Sequence, residues 1–146
     1  MNRGQMDALI QEHLRAENAG DTDGCVAMYT ADVVHDVVGN PAGPLRGPVA
    51  AKGFYDYLTS NVTGQTARVN HAWYGEDFAV IEHQWRGNVP GQFLGIEGYG
   101  KPVDFRMLHV WEFTDGKISR ENVWLDGAAI SAQLADEPVT HVSATN

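Results

Sequence analysis

The chain has one cysteine, Cys25, in 146 residues. That excludes an intramolecular disulfide and any thiolate-rich metal cage. Positive charge is also scarce. Ten Lys and Arg stand against nineteen Asp and Glu, a formal net charge of -9, which repels phosphate backbones and anionic lipid. Neither nucleic acid nor a membrane is an expected partner. No apolar run is long enough to span a bilayer, and no apolar signal core follows Met1-Asn2-Arg3-Gly4-Gln5, so a cytoplasmic protein is the expectation. The chain lacks a phosphate-cradling glycine loop, a Gly-x-Ser-x-Gly elbow and a metalloprotease helix motif among its six histidines. Gly91, Gly95, Gly98 and Gly100 are spaced too irregularly to bind a dinucleotide. Neither a metal nor an organic cofactor is implied.

What is present suffices for one domain and not for two: 146 residues, 43% of them hydrophobic. Met6, Leu9, Ile10, His13, Leu14 and Glu17 form a helical stripe that Gly20 ends. Asp21 can cap a second helix over Thr22 to Tyr29, and Val33 to Val38 is a β-branched strand ended by Gly39-Asn40-Pro41. Pro48 opens a third helix with Ala51, Phe54, Tyr55 and Leu58 on its buried stripe. From Thr66 the pattern turns to period two, with strands at Ala67 to Tyr74 and Phe78 to Asn88, then a loop between Pro90-Gly91 and Gly98-Tyr99-Gly100. A hairpin follows, then a short helix over Gly127 to Leu134. The expected class is α+β, with about three N-terminal helices packed on one side of a curved antiparallel sheet. Residues 1–5 and 135–146 are expected to be loose tails.

The hairpin between Asp104 and Asp126 carries the most information. A two-residue Asp115-Gly116 turn pairs Thr114 with Lys117, and hence His109 with Asn122 and Phe105 with Asp126. One face then collects Phe105, Met107, His109, Trp111 and Phe113 with Ile118, Asn122, Trp124 and Asp126. The other carries Leu108, Val110, Val123 and Leu125. A bulge at the turn would move Asp126 to the opposite face. In the two-residue register a His, an Asn and an Asp stand among large apolar rings, as in the lining of a pocket for a greasy molecule.

Asp126 beside Trp124 is poorly solvated in that register, which raises a carboxyl pKa toward the range useful for proton transfer. The same Asp before Gly127-Ala128-Ala129 is also what a helix N-cap looks like. His109 can donate to a developing oxyanion, or be a core histidine bonded to Asn122. Strand alternation sends only one of His35 and Asp36 inward, and His35 is preferred. His13 on the buried helical stripe is a pocket donor or a locally satisfied core residue. His83 and Trp85 share a strand face, as a pocket wall or as ordinary packing. Arg106 falls on the aliphatic side.

Val26-Ala27-Met28-Tyr29-Thr30-Ala31-Asp32, His35-Asp36-Val37-Val38-Gly39 and Leu45-Arg46-Gly47-Pro48 leading to Phe54-Tyr55 resemble the front half of the nuclear-transport-factor-2-like superfamily. Met107 to Phe113, Asp115-Gly116-Lys117-Ile118 and Trp124-Leu125-Asp126 resemble its SnoaL-like polyketide cyclase branch. The resemblance implies a cone around one deep apolar cavity, often in a homodimer. It implies intramolecular aldol closure without a cofactor, with Asp126 at the acid/base position. Ketosteroid isomerase, a relative, places its general base in a motif similar to Asp36-Val37-Val38-Gly39, its oxyanion-hole acid at His109 and its helix-one tyrosine at His13. Limonene epoxide hydrolase, another relative, uses an Asp-Arg-Asp set of which Asp126 resembles one member.

The expectation is a cofactor-independent acid/base enzyme that cyclises or isomerises a small hydrophobic carbonyl compound through an enolate. Its catalytic set would be Asp126, His109 and His35 or Asp36. Its ligand contacts would be His13, Trp85, His83, Trp124, Met107, Asn122 and Phe105. A non-catalytic hydrophobic-ligand-binding protein and an epoxide hydrolase are the alternatives.

Overall fold

The structure is a computed structural model and describes residues 1–135. The proposed tail at 136–146 lies outside the described residues. The other proposed tail is not loose. Asn2 caps helix α1 (Arg3–Ala19) in a reciprocal capping box with Gln5, and Gly20 in the left-handed region closes it. Helix α2 (Thr22–Ala27) starts on the Asp21 cap but stops short of Tyr29, which opens strand β1 (Tyr29–Val37). The short β2 (Leu45–Arg46) leads to α3 (Pro48–Asn61), then β3 (Thr63–Tyr74) and β4 (Phe78–Val89).

The loop after β4 contains a small hairpin, β5 (Gln92–Phe93) and β6 (Ile96–Glu97), joined through Leu94-Gly95, both at positive φ. The long hairpin β7 (Lys101–Thr114) and β8 (Lys117–Leu125) comes next, and α4 (Gly127–Leu134) ends the described chain. The six-stranded sheet runs β2-β1-β8-β7-β4-β3. It is mixed and not purely antiparallel, because β1 lies parallel to β8 while its other pairings are antiparallel.

The hairpin register corrects the sequence reading at one point. Thr114 pairs with Lys117 and Phe113 with Ile118 as expected, but Glu112 then pairs with Arg120, so Ser119 is an extra, bulged residue. Beyond the bulge every pairing slips by one: His109 faces Val123, and Met107 faces Leu125. Val123 and Glu121 turn inward and are buried, whereas Trp124 and Asp126 are exposed and Asn122 lies on the outer face.

Inward rows of the sheet explain where the core sits. β4 presents Ala79, Ile81, His83 and Trp85, and β7 presents Phe113, Trp111, His109, Met107 and Phe105, all buried. One apolar cluster gathers Met6, Ile10, Ile81, Trp111 and Phe113 near α1. A second gathers Trp85, Phe93, Phe105, Met107, Ile130 and Leu134 under the β5–β6 hairpin and α4. Between the clusters, at matching positions of adjacent elements, stand His83, His109, Glu121, His35, Tyr55 and His13. The core is thus crossed by a polar belt, and a buried polar group needs a partner or a ligand.

Candidate active site

Glu121 is the centre of that belt. It is 1% exposed and receives the hydroxyl of Tyr29, with the Tyr55 hydroxyl donating at 3.1 Å. Its other oxygen lies 3.4 Å from Nε2 of His109, and Nε2 of His13 is 3.6 Å away. Burial pushes this carboxyl up, but the charge of His13 and the His109 hydrogen bond outweigh burial and hold it well below the ordinary range. Glu121 is therefore an ionised anchor. The Tyr29 and Tyr55 hydroxyls are pushed well above 10.0 by burial and then by the Glu121 charge, so they remain donors.

His109 contacts Glu121 through Nε2, and its Nδ1 lies 3.1 Å from Nδ1 of His83. Both of its nitrogens are occupied by protein groups. Behind it, burial and the neighbouring His109 charge bring the His83 pKa down to about 3, so His83 is neutral at pH 7. His13 donates Nδ1–H to the Cys25 carbonyl at 3.0 Å, and its Nε2 lies 3.2 Å from the Tyr55 hydroxyl and 3.8 Å from Glu17.

His83 keeps its Nε2 without a partner, and two further groups depart more strongly. His35 is 1% exposed, and neither of its ring nitrogens has a hydrogen-bond partner. Burial, the largest influence, lowers its pKa, so it is a neutral imidazole offering one N–H and one lone pair. Glu17 is also buried, and its pKa is raised from 4.5 to about 7, chiefly by burial, with His13 opposing and Glu121 reinforcing. A carboxyl that titrates near neutrality can both take and return a proton.

A cavity of ≈ 40 Å³ has Glu17, His35, Tyr55, His109 and Glu121 among its lining residues. Its apolar lining includes Phe54, Leu58, Trp85, Phe93, Phe105 and Met107. The expected residues His35, His109, Trp85, Met107 and Phe105 therefore meet in one lining. His13 and His83 are buried one step behind it.

Asp126 does not line the cavity. It is the exposed N-cap of α4, with its carboxylate accepting from the Ala129 N–H at 3.0 Å, so the cap reading holds and the inward placement does not. Trp124 and Asn122 are corrected to the outer face by the Ser119 bulge. Asp36 lies on the outer side of β1, opposite His35, and pairs with Asn122. Arg106 is exposed, as expected from its aliphatic-side register.

Sequence reasoning missed Glu121, Tyr29 and Tyr55, and it left Glu17 as one member of a helical stripe. A buried-stripe Glu was the available signal for Glu17, since ionisable residues rarely sit there without a function or a partner.

A curved sheet wrapped on helices around a cavity with acid/base groups at its base defines a nuclear-transport-factor-2-like α+β protein. A SnoaL-like domain profile matches residues 10–121, and the chain belongs to that family. Among solved structures it is similar to TsrD from Streptomyces laurentii, at 22% identity over 92% of this chain and 97% of that one, with a TM-score of 0.81. A candidate SnoaL-like polyketide cyclase from Jannaschia is 19% identical over 94% and 99% of the two chains, TM-score 0.83. An epoxide hydrolase of the LEH-like kind from M. tuberculosis is 17% identical over 90% of each chain, TM-score 0.72. At such identities these likenesses show the fold.

Proposed function

We propose that the protein is a cofactor-independent acid/base enzyme that binds a small hydrophobic carbonyl compound and cyclises or isomerises it through an enolate. The observation that carries this reading is His35: a fully buried, neutral imidazole with both nitrogens unpartnered, in the same cavity lining as a carboxyl that titrates near pH 7. Leaving the N–H of such a group without a partner costs about 1–3 kcal/mol, a cost removed by a bound carbonyl oxygen that accepts from it.

In this scheme Glu17 removes a proton from the carbon beside the carbonyl, and the His35 N–H donates to the oxygen as negative charge gathers there. The proton then returns to another carbon, or the enolate carbon attacks a second carbonyl of the same molecule, whose oxygen takes the proton. Glu121, fixed by Tyr29, Tyr55 and His109, positions the ring of groups and does not itself move a proton. Epoxide hydrolysis through Asp126 and Arg106 has no support in the geometry, because both lie outside the cavity. We also propose that the chain pairs as a homodimer through the outer sheet face, where Trp73, Phe78 and Trp124 are 52%, 41% and 41% exposed.

The test is deuterium exchange at the α-carbons of 2-undecanone in D2O, followed by NMR. Wild type should accelerate exchange over buffer, and Glu17→Gln should lose roughly a hundredfold or more of that acceleration. Binding of the ketone without any acceleration would make the protein a carrier of hydrophobic ligands instead.

A further inference from the structure

The cavity at His35 is too small for the molecule its chemistry asks for. At ≈ 40 Å³ it has room for a few water-sized atoms. Adjoining it is a larger space, a vestibule of ≈ 640 Å³, walled by Val38, Pro41, Leu45, Tyr57 and Gly95 among others. Val37, Phe54, Leu94 and Leu125 belong to both linings, so the two spaces meet at these side chains.

Among these shared residues Phe54 is the one whose ring packs on His35 and Tyr55. Its ring lies 4.8 Å from the His35 ring and 5.6 Å from the Tyr55 ring, centroid to centroid. It is only half-buried, and it packs against both apolar clusters. Leu94 stands at the tip of the β5–β6 hairpin, 38% exposed at φ 50, a backbone state that non-glycine residues rarely hold.

We infer that Phe54 gates the polar cavity and selects ligands in two parts: a slim terminal carbonyl head that passes Phe54 to reach His35, and an apolar body that stays in the vestibule. This rests on the assignment of His35 as the carbonyl donor. The occupant of the vestibule follows from continuity, since the two spaces share four wall residues and the vestibule is the larger by far. A carbonyl in the middle of a chain would need two arms past Phe54 at once, and the cavity has no room for the second.

Two isomers isolate this property. 2-Undecanone and 6-undecanone have the same atoms and nearly the same hydrophobicity, with the carbonyl at the end or in the middle. Each is labelled with 13C at the carbonyl and titrated into the whole protein. In wild type the 2-undecanone carbonyl should move downfield on binding, as expected for hydrogen bonding to His35, while that of 6-undecanone should not. The affinity preference should be roughly tenfold or more. Phe54→Ala should let both carbonyls shift and shrink the preference to about twofold. Phe54→Trp should remove the 2-undecanone shift while leaving its chain bound, and Phe54→Leu should act between wild type and alanine if the alanine variant does not fold.

His35→Ala separates the two ideas. If the 2-undecanone shift is absent in wild type, or survives His35→Ala, the reading of the site itself fails. If the shift depends on His35 but both isomers shift alike in wild type, or the Phe54 variants leave the preference unchanged, the site stands and the gate is overturned.

Discussion

His35 and Glu17 do their work because of where they are not hydrogen-bonded. Most buried polar side chains in the belt are saturated: His109 by Glu121 and His83, and Glu121 by two tyrosine hydroxyls. Glu17 has an energetic signature. Its carboxyl ionises near 4.5 in the unfolded chain and near 7 in the fold. Between those values the folded state holds a proton the unfolded chain has lost, so its contribution is fully present below pH 4.5 and lost as pH rises through 7. That loss is worth about 3 kcal/mol. In urea unfolding, Glu17→Gln should therefore gain stability over wild type at pH 8 and show little difference at pH 4. An equal effect at both pH values would contradict a raised Glu17 pKa. His83 has the opposite sign. Its pKa falls from 6.5 to about 3, so its contribution is present above pH 6.5 and drains away as pH drops toward 3. His83→Gln should flatten the acid limb of the same measurement; an unchanged limb would show that His83 is not held neutral.

At the scale of elements, one bulge separates what the sequence revealed from what it concealed. Period-two alternation and the Asp115-Gly116 turn were enough to locate β7 and β8 and to place Phe105, Met107, His109, Trp111 and Phe113 on the inner face. The extra residue Ser119 was not legible, because nothing in Ser-Arg-Glu-Asn marks a bulge and either register buries aliphatic residues. The slip exchanged Asp126, Trp124 and Asn122 for Glu121 and Val123. His35 over Asp36 was settled by pairing with β8 and not by strand composition, since valines stand on both faces of β1. The β5–β6 hairpin carries its own test. A Cβ on Gly98 would lie 2.1 Å from the Val89 carbonyl oxygen, so Gly98→Ala must push the hairpin off the end of β4. Hydrogen exchange should show faster opening at Gln92 to Glu97, and unchanged protection there would contradict this account of the contact.

For the molecule as a whole, the fold was readable because its signals agree: two capped helices and a third opened by Pro48, then period-two strands, then a short helix behind Asp126. The parallel pairing of β1 with β8 was not, since long-range neighbours leave no local pattern. Assembly is argued at this scale too. Two copies of charge -9 repel each other, so a dimer held by the apolar outer face should tighten as salt rises. Sedimentation should show wild type dimeric at 0.5 M salt and Trp124→Glu monomeric; a wild type that is monomeric at every salt concentration would dismiss the homodimer. The central claim is that a carboxyl poised near neutrality shares a buried cavity with a neutral, unpartnered imidazole. It is tested most directly by NMR titration of the Glu17 side-chain carboxyl carbon and the His35 ring nitrogens. The account predicts Glu17 titrating near pH 7 and His35 remaining neutral below its ordinary 6.5. Glu17 titrating near 4.5 with His35 at 6.5 would contradict it.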